Sequence, residues 1–274
     1  MTAPPAPAAP TPFPSIANWR DLGYWTGFDE KVVRPGVVYR TNDFAEISDA
    51  DRAGLAALEL KTIVDLRTQS ERTASPDPQF HGTREVILDV LADEKTPAMA
   101  ASLDKVLGDP KTVHAISEAL TVDKAKGLMT GTYVDFIDMD SANKAFGAFY
   151  QDLLENELTP TVFHCTTGKD RTGWTAATFL SLLGVDRSDV YRDYLLTNDR
   201  LVPSLKPVFD EFAAAGGDPA LLLPILGVEK VYLDTAFGRL EEVYGTVERY
   251  FDEGLGIDLD AQKELRARFL VAPA

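Results

Sequence analysis

The stretch Thr161-Val-Phe-His164-Cys165-Thr166-Thr167-Gly168-Lys169-Asp170-Arg171-Thr172-Gly173 decides how the rest of the chain is read. Its first four residues are mostly β-branched or aromatic and make a short buried strand. The next six are polar and hold a glycine, so they turn. From about Arg171 to Leu183 the pattern is helical, and Gly184 ends it. A strand, a tight loop and a helix in that order aim successive backbone N–H groups at one point, with the positive end of the helix dipole behind them. Such a ring of donors holds a tetrahedral anion.

The loop also carries the only cysteine of the chain. A free thiol of pKa about 8.5 is only about 3% ionised at pH 7, too little for an efficient nucleophile. Moving such a group to about 5 takes roughly 4.8 kcal/mol at about 1.36 kcal/mol per unit. A helix N-terminus supplies up to about 2 kcal/mol and each charge-assisted hydrogen bond about 1.5–3 kcal/mol. The dipole with two loop amides, or with the Thr172 hydroxyl, therefore suffices, and Cys165 reads as a nucleophile. Arg171, six residues on, offers a planar fork that grips two phosphate oxygens and neutralises the transition state of phosphoryl transfer. Asp170 can protonate a leaving oxygen and later activate water, or it can simply stabilise the helix end and temper Arg171. Lys169 is a solvated charge or a second cation for substrates bearing more than one phosphate. His164 orients the loop through its ring nitrogens or is a satisfied structural histidine.

Outward from this segment, strands and helices alternate. Residues 31–40 place β-branched runs on either side of a Pro-Gly turn, which gives two short strands. Ser48 with Asp51 resembles a capping box and opens a helix through Leu55, Leu58 and Leu60. Residues 62–66 and 86–90 read as strands. Thr96-Pro97 starts a helix with Met99, Leu103, Val106 and Leu107 on one face, and Gly108-Asp-Pro110 ends it. Val113, Ile116 and Leu120 mark another. Phe146, Phe149, Tyr150, Leu153 and Leu154 form the most regular core-facing stripe. Further helices are expected around 188–197, 203–215, 233–251 and 260–270. The order predicts an α/β fold with a central, mostly parallel sheet flanked by helices. Residues 1–14, rich in Pro and Ala, read as a disordered tail, and 15–274 as a single domain.

The chain has 274 residues, and 27 Lys+Arg against 43 Asp+Glu leave a net charge of −16. With 45% hydrophobic and 26% charged residues it is soluble and globular in composition. The acidic balance opposes a non-specific hold on nucleic acid or anionic lipid, so no nucleic-acid partner is expected and an anionic substrate must be won by local groups. No run approaches the roughly 18 apolar residues of a membrane span, so no integral membrane contact is expected. The start of the chain does not read as a secretory signal, and a cytoplasmic protein is the default. A lone cysteine excludes an internal disulfide and a thiolate metal cage. His81, His114 and His164 lack ligand spacing, so neither a metal nor a cofactor is expected.

The loop resembles the signature H-C-x5-R-[ST]-G of the protein tyrosine phosphatase superfamily. It is closest to bacterial tyrosine and dual-specificity phosphatases with H-C-x-x-G-K-D-R-T-G. Other features of that group occur here in the same order: Asn18-Trp19-Arg20-Asp21, Arg34-Pro35-Gly36 with Tyr39-Arg40, Asp65-Leu66-Arg67, and Tyr194-Leu195 with Thr197-Asn198. The resemblance implies Cys165 as nucleophile of a cysteinyl-phosphate intermediate and Arg171 as phosphate clamp. The backbone of Thr166, Thr167, Gly168, Lys169 and Asp170 would be the cradle, with Thr172 bonded to the sulfur. It implies Asp170 as general acid, or, as in relatives with a separate mobile loop, Asp89 or Asp93. It further implies a helical lid over about residues 96–136. The substrate would be a phosphotyrosine-containing protein or a phosphoinositide. Asp65 and Arg67 read as a structural ion pair behind the loop. Two other functions use similar loops: a non-catalytic phosphoprotein-binding pseudophosphatase, and a rhodanese-like sulfurtransferase. The complete Cys, Gly and Arg set and the Lys-Asp-Arg-Thr-Gly run favour phosphate hydrolysis.

Overall fold

Short β-branched runs build the centre of the protein in a computed structural model, which describes residues 11–93, 113, 120–155, 157 and 159–273. The strands in chain order are β1 (Arg20–Asp21), β2 (Val32–Val33), β3 (Val38–Thr41), β4 (Thr62–Asp65), β5 (Arg84–Ile87), β6 (Thr161–His164) and β7 (Leu270–Val271). Five of them form one sheet in the order β1-β3-β6-β4-β5, and β2 pairs with β7 separately. β3, β6, β4 and β5 are mutually parallel, and β1 joins β3 antiparallel. β6 is therefore central, and its last residue His164 stands level with Thr41 and Asp65 of its neighbours. The chain leaves the sheet there, at the carboxyl end of a central parallel strand, where open α/β sheets place their ligands.

The helices are α1 (Asp49–Ala56), α2 (Gln69–Ala74), α3 (Val122–Asp138), α4 (Asp140–Glu155), α5 (Arg171–Leu182), α6 (Arg187–Arg200), α7 (Lys206–Ala214), α8 (Lys230–Tyr244) and α9 (Leu259–Phe269), with shorter turns between. Side chains alternate across the sheet as the pleat requires. Tyr39, Ile63 and Val162 face a smaller layer with Phe13, Ile16, Trp19, Phe44, Leu55 and Leu60. Val38, Val64 and Phe163 face the main core. α5 runs through that core and is buried on every side from Arg171 to Leu180, which is why its sequence is apolar or small all round. The stripe of Phe146, Phe149, Tyr150 and Leu153 on α4 packs into the same core, as do Met129, Tyr133, Phe136 and Ile137 of α3. Among the described residues, no helix is long and apolar enough to cross a membrane.

Several boundaries differ from the sequence reading. Ordered packing begins before Ser15: Phe13 is 6% exposed, meets the Trp19 ring edge-on at 5.1 Å and accepts the Ile16 amide. One aromatic ring is enough to draw that part of the Pro-rich stretch onto α1. The helix expected over 233–251 starts earlier, at Lys230, and ends at Tyr244, because Gly245 takes φ +83° and breaks it. The strand expected over 86–90 runs over Arg84–Ile87, since the Asp89 carboxylate turns the chain by accepting the Leu91 amide. Neither β1 nor α2 was anticipated. The helices expected over 96–110 and 113–120 lie outside the described residues, except for Val113, which packs against Phe212, Leu222 and Leu226, and Leu120.

Phe13→Ala removes a buried ring and is expected to cost about 3 kcal/mol in equilibrium urea unfolding. A loss below about 0.5 kcal/mol would show that residues 11–14 contribute nothing to the fold.

Candidate active site

Cys165 follows β6 directly and is only 2% exposed at the base of the loop. Gly168 bends the loop with φ +68°, and a Cβ there would stand 2.2 Å from the Thr41 carbonyl oxygen, so only glycine fits. Among the described residues, no oxygen accepts from the backbone N–H groups between Thr166 and Gly173. The first amide of α5 with an acceptor is that of Trp174, which bonds the Asp170 carbonyl at 2.8 Å. These are the amides that the sequence reading assigns to an anion cradle, and a run of donors without acceptors suits that role.

Amides turned to one side leave carbonyls turned to the other, and each of three finds a donor. The Asp43 amide bonds the Thr166 carbonyl at 3.0 Å. Asn18 Nδ2 donates to the carbonyls of Thr167 (3.2 Å) and Gly168 (2.9 Å), and Arg40 Nη2 donates to Gly168 (2.9 Å). Asn18 is oriented in turn by Arg20, whose Nη1 donates to Asn18 Oδ1 at 2.7 Å. Arg20 and Arg40 both clasp the buried Asp193, at 2.8 and 2.7 Å. Burial, and then Arg20, pull Arg40 down to about 10, with Asp193 resisting, so it stays charged at neutral pH. Burial pushes the Asp193 carboxyl up, but the two guanidiniums hold it below the usual range.

Arg171 is fixed from the opposite side. Its Nη1 and Nη2 meet Glu71 Oε2 and Oε1 at 2.7 and 2.6 Å, and Oε1 also accepts the Thr166 hydroxyl at 2.7 Å. Glu71 lies at the third position of α2, in a capping box with Thr68. Burial works against its charge, but the Arg171 hydrogen bonds and charge bring its carboxyl down to about 2. Burial likewise lowers Arg171, yet Glu71 and the Cys165 sulfur raise it above its ordinary value.

Asp170 stands just before α5 but makes no side-chain cap to it. Its Oδ1 accepts from Tyr133 at 3.0 Å and from Lys169 Nζ at 2.9 Å, and Oδ2 lies 2.8 Å from Lys169 Nζ. Lys169 is therefore not a solvated charge: its side chain is 5% exposed and folded onto Asp170. The bond expected from Thr172 to the sulfur is not formed, and its buried Oγ1 has no partner. Thr175 and Thr178 bond the carbonyls four residues back, but for Thr172 that carbonyl is Gly168, already taken by Asn18 and Arg40.

Asp89 and Asp93 are each engaged by backbone amides. Asp89 accepts the amides of Gln69 and Leu91, each at 3.2 Å, which ties it to the start of α2. Asp93 and Ser141 bond reciprocally at the start of α4, at 2.8 and 3.2 Å. His164 is buried, with Nδ1 3.2 Å from the Cys165 carbonyl and Nε2 3.3 Å from Asp77. Asp65, Asp77 and His164 bring ligand atoms within 4.8 Å of one another, close enough for a metal ion. The Arg67 guanidinium already acts as the cation of that cluster, 2.7 Å from Asp65 and 2.5 Å from Asp77. Asp65 and Arg67 thus form the expected ion pair. Sequence reading missed Glu71, although Thr68-x-x-Glu71 is a capping-box pattern, and it missed Asp193 and Tyr133, which carry no local signal.

Glu71→Gln tests the Arg171 anchor. A carboxyl held at about 2 instead of 4.5 stabilises the fold fully above pH 4.5 and progressively less as pH falls toward 2. The contribution is on the order of 3 kcal/mol. The variant should lose most of this acid dependence of stability and bind vanadate about tenfold more weakly, a change of about 1.4 kcal/mol. Unchanged vanadate affinity would mean that Arg171 needs no anchor.

The sequence profile of the tyrosine phosphatase family matches residues 11–271. Relatives include a protein of Cupriavidus necator named as a tyrosine-protein phosphatase, 30% identical over 94% of this chain and 87% of its own length. The triple specificity protein phosphatase PtpB of Mycobacterium tuberculosis is 27% identical over 88% of this chain and 93% of its own length. A tyrosine-protein phosphatase of Nostoc commune matches 58% of this chain at 29% identity. A match that spans the sheet, the cysteine loop and the helices around them makes this chain a member of the tyrosine phosphatase family.

Proposed function

We propose that the chain is a metal-independent phosphomonoester hydrolase that works through a cysteinyl-phosphate intermediate. The observation that carries this reading is a run of unpaired loop amides directly after a buried cysteine, together with an arginine that Glu71 holds in one orientation. The amides and Arg171 bind the three non-bridging oxygens of the phosphoryl group. The Cys165 sulfur donates an electron pair to phosphorus as the P–O bond to the leaving group breaks, and Asp170 gives that oxygen a proton. The oxygen of a water then bonds to phosphorus and gives a proton to the Asp170 carboxylate as the S–P bond breaks and its electron pair returns to sulfur, which releases inorganic phosphate and restores the sulfur anion. In this scheme Asp170 is the acid, because Asp89 and Asp93 are bonded to the starts of α2 and α4.

The substrate class follows from depth. A nucleophile 2% exposed at the bottom of its loop is reached best by a long, flat arm, so phosphotyrosine in proteins is the preferred substrate. A second phosphate, as in phosphoinositides, would be met by Lys169 only after it leaves Asp170. Kinship with a phosphatase named for triple specificity supports the wider range.

The test uses a phosphotyrosine peptide, a phosphoserine peptide and a phosphoinositide, with rates followed by phosphate release. The phosphotyrosine peptide should be fastest. Cys165→Ser should lower its turnover by at least about 10³-fold while tungstate binding stays within a few-fold. Turnover retained in that variant, or no phosphate trapped on Cys165 after rapid quench, would overturn the proposal. Binding without turnover by the unaltered chain would identify a pseudophosphatase, and thiocyanate formation a sulfurtransferase.

A further inference from the structure

Tyr133 lies 37 positions before Asp170, inside α3, and is completely buried, yet its hydroxyl is 3.0 Å from Asp170 Oδ1. The same hydroxyl is 2.5 Å from that of Tyr194 on α6. Proton counting fixes the direction of this chain. The Tyr133 hydroxyl gives its single proton to Asp170 Oδ1, which accepts there whether or not Oδ2 carries a proton. The Tyr194 hydroxyl must then donate to Tyr133. Burial first, and the Asp170 charge next, push the Tyr133 phenol well above its ordinary range, so it remains a donor and does not compete as an acid.

The contact also accounts for the absence of a helix cap. An aspartate before a helix ordinarily turns its carboxylate onto the first amides. Here that would fill the anion ring from within. Tyr133 and Lys169 hold the carboxylate away from those amides: Tyr133 engages Oδ1 alone, and Lys169 Nζ lies 2.8 Å from Oδ2, the oxygen that Tyr133 leaves to exchange a proton.

We infer that Tyr133 is a positioning residue for the general acid: it orients the Asp170 carboxyl so that Oδ2 delivers a proton to the leaving oxygen. The inference rests on the reading of Asp170 as the acid. No electron pair or proton of Tyr133 is consumed, and the proton transferred is that of Asp170.

Leaving-group dependence separates this role from a structural one. Rates are measured over a series of aryl phosphates whose phenols range from strongly to weakly acidic. A poor leaving group needs its proton, while an activated one departs without it. Tyr133→Phe should lose roughly tenfold in kcat on phenyl phosphate and less than about twofold on 2,4-dinitrophenyl phosphate, so its slope steepens. Tyr150→Phe is the control, because it deletes an equally buried hydroxyl, bonded to Thr178 at 2.7 Å, in the same core and away from Asp170. Its rates should shift, if at all, by one factor across the series. A uniform loss in Tyr133→Phe would overturn the inference. Asp170→Asn in the same series tests the underlying reading: if its slope does not steepen, the acid assignment fails, and if it steepens while that of Tyr133→Phe does not, only the role of Tyr133 fails. Should Tyr133→Phe not fold, 3,5-difluorotyrosine at position 133 keeps shape and donor but sharpens its acidity. A changed slope then supports the role, and an unchanged one overturns it.

Discussion

A loop that turns its amides inward must turn its carbonyls outward, and the rest of this structure depends on that constraint. A buried carbonyl without a donor costs about 1–3 kcal/mol, and three consecutive ones would dissolve the loop. The protein meets the cost with groups far away in sequence: the Asp43 amide beyond β3, Asn18 before β1, and Arg40 on β3. The donors themselves are buried and need acceptors. Arg20 and Arg40 therefore converge on Asp193, and Arg20 also donates to the side-chain oxygen of Asn18. The element Asn18-Trp19-Arg20-Asp21 thus braces the cysteine loop from outside, with Trp19 stacked on Tyr39 to hold it against the sheet and Asp21 accepting the Gly23 and Gly36 amides.

The same network solves an electrostatic problem. A chain of net charge −16 repels phosphate at long range, though screening beyond about 8 Å at physiological salt confines that effect to the surface. Close to the ring the balance reverses. Two guanidiniums share one carboxylate behind Gly168, which leaves a buried excess of positive charge, and Arg171 keeps its full charge against Glu71. On the other side of β6 the carboxylates of Asp65 and Asp77 are answered by Arg67. Burial pushes nearby Asp43 up to about 7, against the pull of Arg67, so part of its negative charge is withdrawn near neutrality.

What could be read from the sequence was what is local. The strand, loop and helix around Cys165 follow from thirteen consecutive residues, and the parallel sheet follows from alternation of strands with helices. Glu71 was hidden by its own usefulness as a cap, since one carboxylate serves Thr68, Thr166 and Arg171 together. Asp193 and Tyr133 were unreadable because their partners are 153 and 37 positions away and helix patterning makes both look ordinary. Lys169 looked exposed because lysine in a polar loop usually is, whereas in the folded loop its side chain is buried and paired with Asp170. Phe13 was discounted through its neighbours, yet one ring among prolines sufficed to extend the core.

The loop also couples back to the sheet that presents it. The pairing of Thr41 with His164 places the Thr41 carbonyl beneath Gly168, so closely that any side chain at 168 would collide with it. A slip of one residue between β3 and β6 would move Arg40 off the Gly168 carbonyl and reverse which face of the sheet it reaches. It would also take Arg40 away from Asp193, and with it the partner that keeps Arg20 on Asn18. Strand register, carbonyl satisfaction and the direction of the amides are therefore one condition, met together or not at all. So short a loop therefore keeps one shape, because that shape is enforced by the pairing of the two strands on which Arg40 and Cys165 depend.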